Sequence, residues 1–197
     1  MKNSNYFRIL SGLIVLSLAF TGCSDDDEPP VENPEEVITT VTLTFTPSGG
    51  GTAITASATD PDGEGPDDLE VDGDITLDAN TTYTMTIELT NDIENEDVTE
   101  EIVREDHEHM FFFAFTNDLF DSPTGNGNVD DRGDELNYND QDENQLPVGL
   151  STSWTTGDTK SGTFQVILKH QPNVKTATSD IDDGESEVDV TWDLSIQ

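Results

Sequence analysis

The chain has 197 residues, of which 43 are Asp or Glu and seven are Lys or Arg, giving a formal charge of −36. Such a surface repels nucleic acid and anionic lipid headgroups, which argues against both as partners, and it suits high salt or divalent cations. The single cysteine, Cys23, leaves no disulfide framework, so stability must come from an apolar core, hydrogen bonds and any bound metal.

The first predicted element is a targeting signal. Lys2 and Arg8 form a positive segment before the apolar run Ile9 to Phe20, which leads into Phe20-Thr21-Gly22-Cys23. That tetrapeptide resembles a lipobox, with Phe20 where leucine is usual. The resemblance implies a lipoprotein signal peptide over 1–22 and acylation of Cys23. The run is too short for a comfortable membrane span, so lipid on Cys23 is expected to hold the protein to a membrane. Residues 23–36 are acidic and proline-rich, which predicts an extended tether. Its opening, Ser24-Asp25-Asp26-Asp27-Glu28, resembles the signal that sends Bacteroidota-type lipoproteins to the outer face of the outer membrane. This implies a cell-surface location in preference to the periplasmic face.

From residue 37 to 197 the pattern has period two. Val41, Leu43 and Phe45 alternate with threonines, as do Tyr83, Met85, Ile87 and Leu89. Phe164, Val166 and Leu168 repeat the spacing, followed by Val188, Val190, Trp192, Leu194 and Ile196. Each run reads as a strand with one face in a core. Ile54 to Ala58, Ile75 to Leu77, His109 to Phe115 and Leu150 to Trp154 are weaker strands. Turn clusters such as Pro47-Ser48-Gly49-Gly50-Gly51 separate them. These features predict an all-β, Ig-like antiparallel sandwich of seven or eight strands. One short helix or excursion is expected near 97–108, with an N-cap and acidic first turn in Asp97-Val98-Thr99-Glu100-Glu101. Met110 and Phe112 lie on the opposite face to Phe111 and Phe113, and are expected to face a second covering layer, the alternative being an exposed patch for a partner.

Candidate chemistry gathers around the three histidines. In Glu105-Asp106-His107-Glu108-His109, a strand would put Glu105, His107 and His109 on one side, whereas a helix would align Glu101, Glu105 and His109. His170 ends the core-facing row Phe164, Val166, Leu168. His109 opens one predicted strand and His170 closes another, so antiparallel neighbours would bring them to the same sheet edge. Imidazole with carboxylate suits zinc or copper, making Glu105, His107, His109 and His170 the candidate metal ligands. The bland alternative is that these histidines merely hydrogen-bond backbone. Calcium competes as the cation: Asp140, Asp142 and Asn144 place oxygens at alternate positions, as do Asn126, Asn128 and Asp130. Asp60-x-Asp62-x-Glu64-Gly65 resembles the start of an EF-hand loop, but Val71 stands where its bidentate glutamate belongs. Solvated turns would explain all three runs equally well. No glycine-rich phosphate loop, nucleophile elbow or Cys/His pair supports catalysis.

Four segments resemble a family of small Bacteroidota envelope lipoproteins. They are Glu108-His109-Met110-Phe111-Phe112, Asp140-x-Asp142 running into Leu146-Pro147-Val148-Gly149-Leu150, Leu168-Lys169-His170-Gln171-Pro172-x-x-Lys175, and Gly184-Glu185-x-Glu187-Val188-Asp189-Val190. Members often carry a type 1 periplasmic-binding-fold label that does not suit this all-β pattern. The resemblance implies an envelope protein working beside a TonB-dependent outer-membrane receptor, and it transfers no catalytic residue. The expected function is non-enzymatic binding of a metal ion or metal-bearing ligand. A structural or adhesive surface domain stabilised by calcium is the alternative.

Overall fold

The computed structural model describes residues 36–63 and 68–197. The signal peptide, Cys23 and the tether up to residue 35 lie outside the described residues, as do Glu64 and Gly65 of the Asp60 loop. Two sheets face each other. The larger takes β1 (Thr40–Pro47), β2 (Ile54–Thr59), β3 (Glu70–Val71), β5 (Thr82–Asn91), β6 (Glu96–Asp97), β8 (Phe120–Ser122) and β9 (Ser151–Thr156). The smaller runs in the order β4 (Ile75–Leu77), β11 (Glu185–Ile196), β10 (Lys160–His170) and β7 (His109–Phe115). The fold is therefore the expected all-β sandwich, with eleven strands among the described residues. The surplus over seven or eight comes from pieces of two or three residues, too short to show any alternation.

The period-two rows become the two inner faces. Val41, Leu43 and Phe45 of β1 and Tyr83, Met85 and Ile87 of β5 are buried against Phe164, Val166 and Leu168 of β10 and the even-numbered residues of β11 from Val188 to Ile196. Trp154 of β9 anchors the centre, with ring centroids 4.8 Å from Phe120 and 5.0 Å from Phe164. β7 is buried on both faces. Its Met110 and Phe112 join Ile167 in a separate cluster, covered by Val129, Tyr138 and Ile181. The expected second layer is thus the long segment between β8 and β9, joined by Ile181 from the connection between β10 and β11.

That segment also closes the free edge of β7. Phe111 N–H donates to Val148 O, Phe115 N–H to Asn126 O, and Phe113 N–H to the Asn128 side chain. A strand edge left open would be a template for another chain. The cover lies so close that a Cβ on Gly127, whose φ is +98°, would collide with the Phe113 carbonyl. Asn126 and Asn128 therefore serve the sheet edge, and Asn126 donates to Asp130. In the Asp60 loop, Asp60 Oδ1 accepts from Asp62 and Gly63 N–H, as a plain Asx turn does.

The helix, α1 (Thr99–Arg104), is shorter than expected and buries only Ile102. The expected side-chain N-cap is absent: Val98 holds that position and Asp97 belongs to β6. The Thr99 hydroxyl instead bonds both polar groups of Leu89, tying the helix to β5. No helix among the described residues is long and apolar enough to cross a membrane.

Candidate metal centre

One end of the smaller sheet carries the site. β7 and β10 pair antiparallel with His109 directly opposite His170, so the strand that opens and the strand that closes do meet. The two rings stack with centroids 4.6 Å apart and planes 7° from parallel. Both histidines are buried, at 0% and 3% exposure. Glu105 and His107 obey neither the helical nor the strand geometry considered for them. Glu105 caps the end of α1 and its carbonyl accepts from His109 Nδ1 at 3.1 Å. That bond fixes the tautomer and leaves Nε2 to face the interior, the arrangement typical of a metal-ligating imidazole. His107 sits in the following turn, half exposed, with Nε2 3.7 Å from Glu108. It joins no cluster and is removed from the candidate ligands.

Two glutamates escaped the sequence reading. Glu187 lies just before the strand read from Val188, and period two would turn its side chain to solvent, because Val188 and Val190 face the core. A β-bulge intervenes: β10 pairs Leu168 with Val188 but Lys169 with Ser186, which leaves Glu187 as the extra residue. Such a bulge re-aims a side chain, and here the Glu187 carboxylate is fully buried between the histidines. Glu36 was counted with the tether. Its carboxylate lies 3.3 Å from His109 Nε2, and its N–H donates to Glu187. Local acidity hid both, since a Glu in this chain carries almost no information. Gly184 (φ +74°) precedes the bulged strand, and a Cβ there would strike the His170 carbonyl.

Glu36, His109, His170 and Glu187 each offer a ligand atom, all within 4.8 Å of one another; Glu105, Glu108 and His170 do the same. His109 Nε2 stands 3.3 Å from Glu36 Oε2 and 3.4 Å from Glu187 Oε2. Charge-assisted hydrogen bonds usually measure about 2.7–2.9 Å. Donors about 2.1 Å from a tetrahedral zinc stand about 3.4 Å apart, so the observed spacing fits an ion better than a proton. His170 Nε2 and Glu187 Oε2 are buried without any hydrogen-bond partner, a costly condition that a cation would relieve.

Without metal, a shared proton has to hold these charges together. Burial draws the His109 pKa down, but the facing Glu187 and Glu36 carboxylates override it and raise the value to about 10. Burial pushes Glu36 up, yet bonding to His109 and the Glu187 carboxyl brings it to about 2. Glu187, pushed up by burial and by Glu36 and drawn back by His109, reaches about 7. Buried carboxylates outnumbering their cations is an arrangement that a divalent ion stabilises.

The calcium candidates behave otherwise. Asp142 Oδ1 accepts from Asn144 and Leu146 N–H, and its Oδ2 lies 3.0 Å from Lys175 Nζ. Asp140 accepts from Gly149 and Ser151 N–H. An ammonium already stands where calcium would sit, and the Asn144 contribution is its backbone N–H, which repels a cation. Asp140, Asp142 and Asn144 form a braced loop in this structure.

No protein-family model matches the chain, and no curated protein or solved structure matches it either. The case for function therefore stands on the geometry of the His109 end and on the sequence motifs.

Proposed function

We propose that this protein is a non-enzymatic, lipid-anchored envelope protein that binds a transition-metal ion, or a ligand bearing one, at Glu36, His109 and Glu187 with His170 beside them. The observation that carries the reading is Glu187 Oε2, buried without a hydrogen bond 3.4 Å from a His109 Nε2 that also faces the Glu36 carboxylate at 3.3 Å. Mixed imidazole and carboxylate donors favour borderline cations such as zinc or copper over calcium. The lipobox at Cys23 supports an anchor in the outer membrane, and the acidic run after it supports display at the cell surface. A TonB-dependent receptor is the partner that such an address and cargo suit. The acidic surface would concentrate cations near the site.

Zinc or copper titration of the full-length protein, followed by calorimetry, tests the metal reading. Saturable binding whose tighter step is lost in His109→Ala and which His170→Ala weakens is the expected result. Equal binding by all three proteins would place the ion elsewhere and leave the cluster as a charged clasp.

A further inference from the structure

We propose that His170 serves a second cation, held by its Nε2 together with Glu105 and Glu108, so that the sheet end is a two-ion centre; this rests on the metal reading of the His109 position. A ring nitrogen's lone pair lies in the plane of its ring. Because the His109 and His170 rings are stacked 4.6 Å apart and 7° from parallel, an ion in the plane of one lies off the plane of the other. A single ion therefore cannot take both imidazoles squarely as they stand.

His170 addresses different partners. Its Nδ1 lies 3.5 Å from Glu187 Oε1, whereas its Nε2 lies 3.6 Å from Glu108 Oε2. The ligand atoms of Glu105, Glu108 and His170 fall within 4.8 Å of one another. His170 is almost wholly buried, and its Nε2 has no hydrogen bond. That independent observation points to a missing ligand on this side of the ring. The turn bearing Glu108 is fixed in place, since Gln171 N–H donates to the Glu108 carbonyl at 2.6 Å, binding the turn to the end of β10.

Glu187 lies between the two positions, with one oxygen toward each imidazole. A carboxylate so placed can bridge two cations and couple their occupancy. The positions differ in access. The Glu36 and Glu187 side chains are 7% and 0% exposed, and that of Glu108 is 17% exposed. The outer ion, with one imidazole and two carboxylates, is the one that solvent or a partner can reach. It is the exchanging position, while the inner ion is enclosed. Binding, holding and releasing a cation would thus be divided between neighbouring sites.

The experiment is zinc stoichiometry on the detergent-solubilised full-length chain at physiological salt with excess magnesium, read by elemental analysis and calorimetry. Wild type should hold two equivalents. The double variant Glu105→Gln, Glu108→Gln should hold one, the weaker step being lost, with an unchanged circular dichroism spectrum. Glu187→Gln should weaken both steps by tenfold or more. One equivalent in wild type, lost in Glu187→Gln and untouched by the double variant, would overturn the outer position and leave the inner one standing. Two equivalents in both wild type and the double variant would put the second ion elsewhere on the acidic surface and refute the proposal. No zinc in wild type would remove both readings.

Discussion

Two acid-rich regions of this molecule use their carboxylates in opposite ways. Around Asp140 and Asp142, three carboxylate oxygens accept from the backbone N–H groups of Asn144, Leu146, Gly149 and Ser151, and the fourth, Asp142 Oδ2, has no hydrogen bond but is ion-paired with the Lys175 ammonium at 3.0 Å. Around His109, the Glu187 carboxylate is buried with one oxygen lacking any hydrogen bond, and His170 Nε2, turned toward Glu108, is equally bare. The density of acid is similar in the sequence. What separates a brace from a site is whether each buried carboxylate already has its own cation when folding is complete, as Asp142 has Lys175 while Glu36 and Glu187 share His109. The two are also neighbours in the chain's wiring, because Lys175 donates to the carbonyl of Asp106 in the turn below the metal cluster.

Removing the brace should have the largest effect on stability. Lys175 and Asp142 are almost completely buried, and breaking a buried ion pair from one side costs about 3–5 kcal/mol. Lys175→Ala should lower the urea unfolding free energy by about that amount, and a loss under about 1 kcal/mol would mean that the pair is solvated. Acid should expose the same dependence. Burial opposes ionisation of Asp142, but the Leu146 and Asn144 N–H groups and Lys175 override it and hold the carboxyl below its ordinary 3.8. The stability this contributes is present above that value and disappears as the pH falls through the depressed one. For Lys175, burial is the dominant influence and lowers its pKa, so the gain in the pair resides with the aspartate.

The metal cluster should respond in the opposite sense, gaining stability from a ligand. At a free zinc concentration of 100 times the dissociation constant, wild type should gain about 2.7 kcal/mol. Asp142→Asn, though less stable overall, should keep that increment, whereas Glu187→Gln should lose most of it. Thermal unfolding of the three proteins with and without zinc checks this. An equal gain in Glu187→Gln would erase the distinction between the two regions.

The strands that could be read from sequence were those with long runs on one inner face, such as Val188 to Ile196. Residues of the minor pieces β3 and β6 carry no such signal. The meeting of His109 with His170 was legible because strand ends in antiparallel neighbours share an edge. Glu187 was not, since a bulge changes the parity of one residue without changing its letters. Glu36 was hidden by composition: thirteen residues of acidic, proline-rich chain precede it, and nothing local distinguishes its carboxylate from theirs. Asp140 and Asp142 misled for a related reason. Alternating oxygens are what both a calcium loop and a backbone-capping turn require, and only the partners tell them apart.

The smallest expected effect is that of calcium on the braced loop. Calcium needs six to eight oxygen donors converging at about 2.3–2.6 Å. Asp142 offers it one oxygen already bonded to two N–H groups and a second facing an ammonium at 3.0 Å. Asp140 directs its two oxygens at Gly149 and Ser151 N–H. A cation entering here would have to displace Lys175 from a buried position and release four backbone donors. Millimolar calcium should therefore leave the amide resonances of Asn144, Leu146, Gly149 and Ser151 in place. Zinc should move those of residues 105–109 and 185–188 in the same titration. Saturable calcium shifts confined to the first set would show that the brace opens to bind, and would return the loop to the candidate cation sites.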